Sequence, residues 1–542
     1  MKGRDWRESV WQRLPAPWDL VVVGGGITGA AILREASRMG YRGLLVEQGD
    51  FASGTSSRSS KLVHGGLRYI KEGKLHLTYS AVRERERLLA EAPGLVEPLN
   101  FLMPHYKAAK PKRIIMAFGL SLYDLMAGAW SHRYYPDHLF NLLAPHIRQV
   151  GLKGGFWFRD AETDDARLVL RLIFDAVAEG AAALNYARCE DLLKEGGRVC
   201  GIRLRDVLTG RTAEVRAGVV INASGVWADG LRAKVGGAPR LRPLRGSHLL
   251  FPVWRLPVAQ SVSFLHPRDG RPVFAFPWEG VTLVGTTDVD HREPLDEEPS
   301  ISPAEVAYLL EAVRSMFPPL DIGPGDVLST LSGVRPVIGS GKADPSQESR
   351  EYAIWSEEGL LTATGGKLTT FRLQALDVLK AARRHLPPRG LAKRLLPSLP
   401  GRAAALPPAA AALDPAAVRR LTGRYGAAAP SLVEAAKPGE LEPVPGTPTL
   451  WAELRWALRA EGVVHLDDLL LRRVRAGLLL PDGGEDHLER VRDLCAQELG
   501  WDERRWKMES ARYLDLWEKH YGPPAEGSAP LEEAPPSPPP AR

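Results

Sequence analysis

Cysteine is scarce in this chain: three in 542 residues, Cys189, Cys200 and Cys495, scattered and odd in number. They form no CxxC, no metal-ligand spacing and no disulfide framework, so a reducing cytoplasm is favoured and no metal site is expected. Also missing is any run of the ~20 uninterrupted apolar residues that a membrane-spanning helix needs. The opening Met1-Lys-Gly-Arg-Asp-Trp-Arg-Glu8 carries too many charges for a signal peptide. A formal charge of +6 is mild for this length. It suits an anionic substrate or an anionic membrane surface, but without a basic stripe and interleaved aromatics it is no nucleic-acid footprint. Internal repeats are absent. What remains is a soluble globular composition, 44% hydrophobic and 25% charged, with length enough for at least two domains.

The most informative stretch is Asp19-Leu-Val-Val-Val-Gly-Gly-Gly-Ile-Thr-Gly29. An apolar run suited to a buried parallel strand leads into Gly24-x-Gly26-x-x-Gly29 and a helical stretch, Ala30 to Met39. A second apolar run, Leu44-Leu45-Val46, then ends on Glu47. This is the βαβ dinucleotide fingerprint in its full context. Gly24 permits the tight turn, Gly26 lets backbone approach a pyrophosphate, and Gly29 lets helix and strand pack. The phosphates meet the positive end of the helix, and Glu47 can accept from a ribose hydroxyl.

The predicted domain plan has five parts. Residues 1–18 form a charged leader. Residues 19–385 hold the nucleotide-binding domain, interleaved with an antiparallel substrate domain whose strands recur between Gly201 and Asp290. A Pro- and Ala-rich linker occupies 386–415, an all-helical domain 416–520, and a disordered tail 521–542. Residues Arg113 to Trp130 are the most apolar segment, preceded by Lys107, Lys110, Lys112 and Arg113. That pattern fits an interfacial helix on anionic lipid, or a buried core helix or dimer contact.

With no second nucleotide-binding βαβ unit but a separate antiparallel sheet, FAD is favoured over NAD. Asn222-Ala-Ser-Gly225 follows a strand and suits the adenosine end. Thr364-Gly-Gly-Lys-Leu-Thr-Thr370 opens a helix whose amides suit the flavin O2 and charge on the reduced ring.

Thr55-Ser-Ser-Arg-Ser-Ser-Lys-Leu-Val-His-Gly-Gly-Leu-Arg-Tyr69 resembles the signature of the FAD-dependent glycerol-3-phosphate dehydrogenases. So do Arg245-Gly-Ser-His248, Gly285-Thr-Thr-Asp288, Ser332-Gly-Val-Arg-Pro336 and Gly365-Gly-Lys-Leu-Thr-Thr370. Leu466 to Arg475 is similar to that family's helical domain. The resemblance runs from about residue 19 to 515. It implies an α/β FAD-binding Rossmann-type domain of the glutathione-reductase/D-amino-acid-oxidase-like class, an antiparallel-sheet substrate domain and an all-helical C-terminal domain. It also implies hydride transfer from C2 of sn-glycerol 3-phosphate to flavin N5, giving dihydroxyacetone phosphate, and reoxidation by a membrane quinone. The protein is then peripheral on the inner face of the cytoplasmic membrane, with a homodimer an open possibility. No EF-hand loop occurs in the C-terminal region, so calcium control is not expected. There is also no long insertion before Gly365-Gly366 of the kind oxygen-using relatives carry.

The cofactor contacts this implies come from Gly24, Gly26, Gly29, Glu47, Thr55, Ser56, Ser59, Lys61, Leu62, Ala223, Gly225, Gly365, Gly366, Lys367, Leu368 and Thr369. The implied substrate pocket holds Arg68, Tyr69, His248, Arg335 and Arg350. A phosphate monoester is best gripped by guanidinium forks, and Arg68 and Arg335 sit among glycine and apolar residues where an idle charge is costly; Arg350 also fits a solvated surface charge. His248, on a strand facing the pocket, ranks first as the base for the C2 hydroxyl proton. His64 ranks second, as a polar pocket residue, and either also fits a structural histidine. Lys367 suits the reduced flavin or the phosphate; Tyr69 offers a pocket hydroxyl or core packing. The alternatives are a D-amino-acid or sarcosine-type oxidase, wanting one arginine for a carboxylate, and a non-catalytic flavin redox sensor.

Overall fold

In the computed structural model the described residues are 6–71, 73–107, 111–342, 348, 351–388, 398–399 and 405–523, with the side chains of residues 68 and 71 not described. Two sheets organise them. In the first, the strand Trp18–Val23 lies between Thr212–Asn222 and Gly43–Val46, all parallel. Leu360–Gly365 extends one side and Ala182–Leu184 the other. These central strands are near-continuous Val, Leu and Ile because both faces of the sheet are covered. Ile27–Arg38, Asp165–Ala178 and Phe371–Ala382 cover one face, in one core with Leu20, Val22, Leu45 and Ile221; the other, with Val21, Leu44 and Val220, packs on the strands Ala187–Glu195 and Arg198–Asp206. The cofactor sheet therefore draws its strands from residues up to 347 positions apart (18 to 365).

The second sheet is ten-stranded, with Leu241–Pro252 near one edge, between Ser329–Ile338 and Val281–Gly285. It is antiparallel except where Ser261–Leu265 runs parallel to Val96–Tyr106. One face packs on the helix Pro303–Met316. The other shares a core with the C-terminal helices, where Phe101, Phe158, Leu250 and Leu283 meet Trp451, Leu454 and Leu470. Those helices run from Pro415–Tyr425 to Glu503–His520.

Several details differ from the sequence-based plan. The charged leader contains a helix, Trp6–Arg13, that buries Val10 and Trp11 and ties Arg7 to Asp206 at 3.0 Å, because its aromatics cover the sheet edge. The segment expected to be a tail begins with Tyr521, whose carbonyl accepts from Thr330 N at 2.6 Å. The rest of the Pro-rich tail, 524–542, lies outside the described residues, as does much of the 386–415 linker. Ser398 and Leu399, inside that linker, are buried against the cofactor domain.

Cofactor and helical domains are joined by buried ion pairs. Asp50 accepts from Arg472 (2.6 Å) and from Arg473 (2.6 and 2.8 Å), and Arg167 forms a two-pronged pair with Glu461 (2.7 and 2.8 Å). Both guanidinium groups on Asp50 are almost wholly buried, and removing its charge leaves Arg473 with only the Glu461 carbonyl, while Arg472 keeps Asp467 and Asp468. Asp50→Asn should lower unfolding stability by about 3–5 kcal/mol in a denaturant titration, and an unchanged midpoint contradicts this tie.

Candidate active site

The fingerprint turn is as tight as its glycines predict. Gly24 has φ +114°, and a Cβ on it would lie 2.4 Å from the Ala223 carbonyl oxygen; a Cβ on Gly29 would lie 1.9 Å from the Gly24 oxygen. Glu47 accepts from Gly25 N (2.6 Å) and Gly49 N (2.9 Å), so part of its work is to hold the turn against the second strand. Burial pushes its carboxyl pKa up, against those hydrogen bonds. Ser56 Oγ accepts from Ile27 N at 2.9 Å, at the positive end of the fingerprint helix, and Thr55 Oγ1 donates to the Val334 carbonyl. Gly225, also at positive φ, accepts from Thr364 Oγ1 at 3.2 Å and so links the Asn222–Gly225 turn to the last strand. A dinucleotide fits this arrangement: a backbone cradle with no room for side chains at one end, and the Gly365–Thr369 turn at the other.

That second turn borders a cavity of about 1380 Å³. Its polar end is lined by Ser59, Ser60, His64, Tyr69, Arg335 and Lys367, with Leu62, Gly365, Gly366, Leu368 and Thr369 beside them. Its other end is apolar, lined by Phe101, Met103, Phe156, Phe158 and Phe274. The helix Arg113–Ala127 crosses that end, with Ile115 and Phe118 on the cavity. The buried-core reading of this helix fails, since Ile114 is 83% exposed, Phe118 72% and Leu125 73%.

Arg335 lies on the strand Ser329–Ile338. Its guanidinium donates to Asp288 (3.1 Å) and Thr286 Oγ1 (3.0 Å), which aim it along the cavity wall. Lys367 Nζ sits 3.5 Å from the centre of the Tyr69 ring, a cation–π contact that places both groups on the same wall. The His64 N–H donates to Thr369 Oγ1 and its carbonyl accepts from the same hydroxyl, each at 3.2 Å, so the segment starting at His64 and the Gly365–Thr369 turn are stitched together.

Two of the expected site residues stand behind the cavity wall. His248 is on a strand of the substrate sheet but does not line the cavity. It is 1% exposed behind Ser60, whose Oγ meets Nε2 at 2.8 Å, while its ring occupies space that any side chain at Gly285 would fill (2.0 Å to Cδ2). Burial, reinforced by Arg335 and Lys61, holds its pKa well below 6.5, so the ring is neutral near pH 7. The Lys61 side chain does not line the cavity either. It is fully buried beneath Trp278, donating to Asp165 (3.0 Å) and to the Ser57 carbonyl (3.1 Å). Burial brings its pKa down to about 8, with Asp165 opposing. Arg350 and the Arg68 side chain lie outside the described residues.

Sequence reasoning missed Ser60, Asp160 and Asp165. Asp160, on the cavity wall, accepts from Tyr123 (2.9 Å), Arg85 (2.7 Å) and Gly65 N (3.2 Å), which anchors the Gly65-Gly66 turn. Asp164-Asp165 before an apolar helical pattern was the available signal, but that pattern reads equally as a plain helix cap. Among the described residues no cluster of side chains could hold a metal ion, and no helix is long and apolar enough to cross a membrane.

Residues 19–372 match the family described as FAD dependent oxidoreductase, and 389–506 match the C-terminal domain of alpha-glycerophosphate oxidase. The chain is 39% identical over 379 residues to aerobic glycerol-3-phosphate dehydrogenase of Bacillus subtilis, covering 69% of this chain and 68% of that protein. It is 34% identical over 533 residues to glycerol-3-phosphate dehydrogenase 2 of Mycobacterium tuberculosis, covering 94% and 89%. Among solved structures, glycerol-3-phosphate dehydrogenase from Bacillus halodurans complexed with FAD superposes with a TM-score of 0.75 at 29% identity, over 96% of this chain and 98% of that one. A glycerophosphate oxidase from Mycoplasma pneumoniae, at 16% identity and a TM-score of 0.56 over 68% of this chain, shares the fold. By sequence match along nearly its whole length, and by the cradle and cavity built above, the chain belongs to the FAD-dependent oxidoreductases, in the glycerol-3-phosphate dehydrogenase family.

Proposed function

We propose that this protein oxidises sn-glycerol 3-phosphate to dihydroxyacetone phosphate and passes the electrons to a quinone while seated on an anionic membrane surface at its cytoplasmic face. The observation that carries the reading is the cavity itself, where the flavin-end turn, a guanidinium, an ammonium and a hydroxyl backed by a neutral imidazole share one wall. FAD, when bound, supplies the two-electron acceptor for the C2 hydride. The chain's own residues do the rest.

Arg335 and Lys367 hold the phosphate dianion. Among the described lining residues five are cationic (Arg58, Arg148, Arg271, Arg335, Lys367) and three anionic (Asp160, Asp288, Glu351), a balance that suits a dianion better than the single carboxylate of an amino acid. Ser60 presents its hydroxyl to the substrate and shares a hydrogen bond with Nε2 of His248, so a proton taken at Ser60 passes to a ring kept neutral by burial. His64 lines the cavity beside the Gly365–Thr369 turn as a polar contact.

The cavity's apolar end opens under a helix whose outer face carries Ile114, Phe118 and Leu125, with Trp130 and Leu142 exposed nearby. Lys112 and Arg113 stand exposed at its start. An apolar helix with a basic end suits anionic lipid, and an acceptor dissolved in that lipid would reach the cavity without crossing water.

Anaerobic mixing of the FAD-loaded protein with glycerol 3-phosphate should bleach the flavin absorbance rapidly; no bleaching at saturating substrate sinks the reading. Arg335→Ala should raise the half-saturating substrate concentration on the order of 100-fold with flavin content unchanged, and equal loss of both makes Arg335 structural. The bleaching rate should stay level as pH falls from about 7 through 6.5, because His248 charges only at lower pH; an acid limb centred at 6.5 or above rules out that histidine as the base. Ile114→Asp with Leu125→Asp should abolish co-flotation with phosphatidylglycerol vesicles yet leave bleaching intact. If those changes instead split a dimer in solution, the face is a subunit contact.

A further inference from the structure

No residue of the helical domain lines the cavity, yet two of its side chains end on the segment that does. Arg475 follows the π-helical turn Asp468–Arg473 in left-handed backbone (φ +63°) and is 2% exposed. Its guanidinium donates to Asp164 (3.0 Å), to Asp165, and to the carbonyls of Leu471 (2.7 Å) and Ser57 (3.2 Å). Asp165 accepts in turn from the Ser59 N–H (2.9 Å), the Ser59 hydroxyl (2.7 Å) and Lys61 Nζ (3.0 Å). Between those two residues stands Ser60, bonded to His248. A second strap comes from Tyr521, whose hydroxyl accepts from Arg58 at 3.1 and 3.4 Å.

This clamp carries more charge than packing alone requires. Burial alone would raise the Asp164 pKa, but Arg475, Arg424 and Lys61 hold it below the usual carboxylate range. Two adjacent buried carboxylates are thus balanced by three cations, two of them from the helical domain. Without Arg475, Lys61 is the one remaining cation on Asp165 among the described residues, and the Ser57 carbonyl loses one of its two donors. Ser59 and Ser60 would then hang on a carboxylate held only by Lys61 and the Ala166 N–H, although neither touches the helical domain directly.

We propose that Arg475 is a positioning residue for the oxidation: through Asp165 it fixes Ser59 and Ser60, and thereby the hydrogen bond that joins the cavity to His248. This rests on the reading of the cavity as the site of glycerol 3-phosphate oxidation. The same sequence segment, Leu466 to Arg475, resembles its family counterpart but has no place in the cofactor or substrate site; on this account its work is to hold a loop some 418 positions earlier in the chain.

The test is stopped-flow flavin reduction in the full-length FAD-loaded protein. Bleaching of the wild type by glycerol 3-phosphate decides the underlying reading, and the ratio of variant to wild type decides this one. Arg475→Met should keep the flavin spectrum and lower the limiting reduction rate on the order of 100-fold, with half-saturation nearly unchanged. Arg475→Lys should recover part of that rate. Ser59→Ala should slow reduction too, and combining it with Arg475→Lys should cost less than the two separate losses multiplied, since both act through one carboxylate. A wild-type limiting rate in Arg475→Met, with only the melting temperature lowered, overturns the proposal. If Arg475→Met does not fold, the cycle of Arg475→Lys with Ser59→Ala decides, and independent effects overturn it.

Discussion

The pair Asp164-Asp165 at the start of one buried helix is the constraint on which the rest of the molecule hangs. Two carboxylates side by side with almost no solvent are costly unless cations and donors surround them. Here they come from three regions of the chain: Lys61 and Ser59 from the cavity loop, Arg424 and Arg475 from the helical domain, and Arg167 N from the helix itself. Asp164 caps that helix while Asp165 faces the loop. One buried charge centre thus joins the cofactor sheet, the cavity wall and the C-terminal domain.

The site then divides its tasks by environment. Backbone does the close work at the nucleotide end, where Gly24, Gly29 and Ala223 leave no room for side chains. Charged side chains gather at the polar end of the cavity, and phenylalanines and the helix Arg113–Ala127 fill the other end. One continuous space thus combines a charged lining, suited to the dianionic alcohol, with an apolar one, suited to the acceptor proposed above. The imidazole that suits proton removal is kept neutral because it sits behind the wall, and it reaches the space through a serine hydroxyl.

Motifs whose meaning is local were legible in the sequence. The fingerprint strand, turn and helix, the acid at the end of the second strand, and the Gly365-Gly366 turn before a helix all appear at the residues expected, because each depends on neighbours within a few positions. The exposure of Ile114, Phe118 and Leu125 was half legible. An apolar run states that a face must be covered, but only the fold tells whether the protein covers it. Long-range partners were not legible. Lys61 sits in a cofactor-like motif, yet its ammonium turns inward to an aspartate 104 positions away. His248 was expected on the pocket wall, but strand alternation gives its face of the sheet and not the serine from a distant loop in front of it. The pairs Asp50–Arg473 and Asp165–Arg475 link segments more than 300 positions apart and leave no local pattern.

The central claim is that this cavity removes a hydride from C2 of a phosphorylated alcohol. It is tested most directly by following flavin reduction in the FAD-loaded protein with glycerol 3-phosphate carrying deuterium at C2. The limiting reduction rate should be clearly slower than with the protiated substrate. Reduction at the same rate with both, at saturating substrate where binding does not limit, would contradict it.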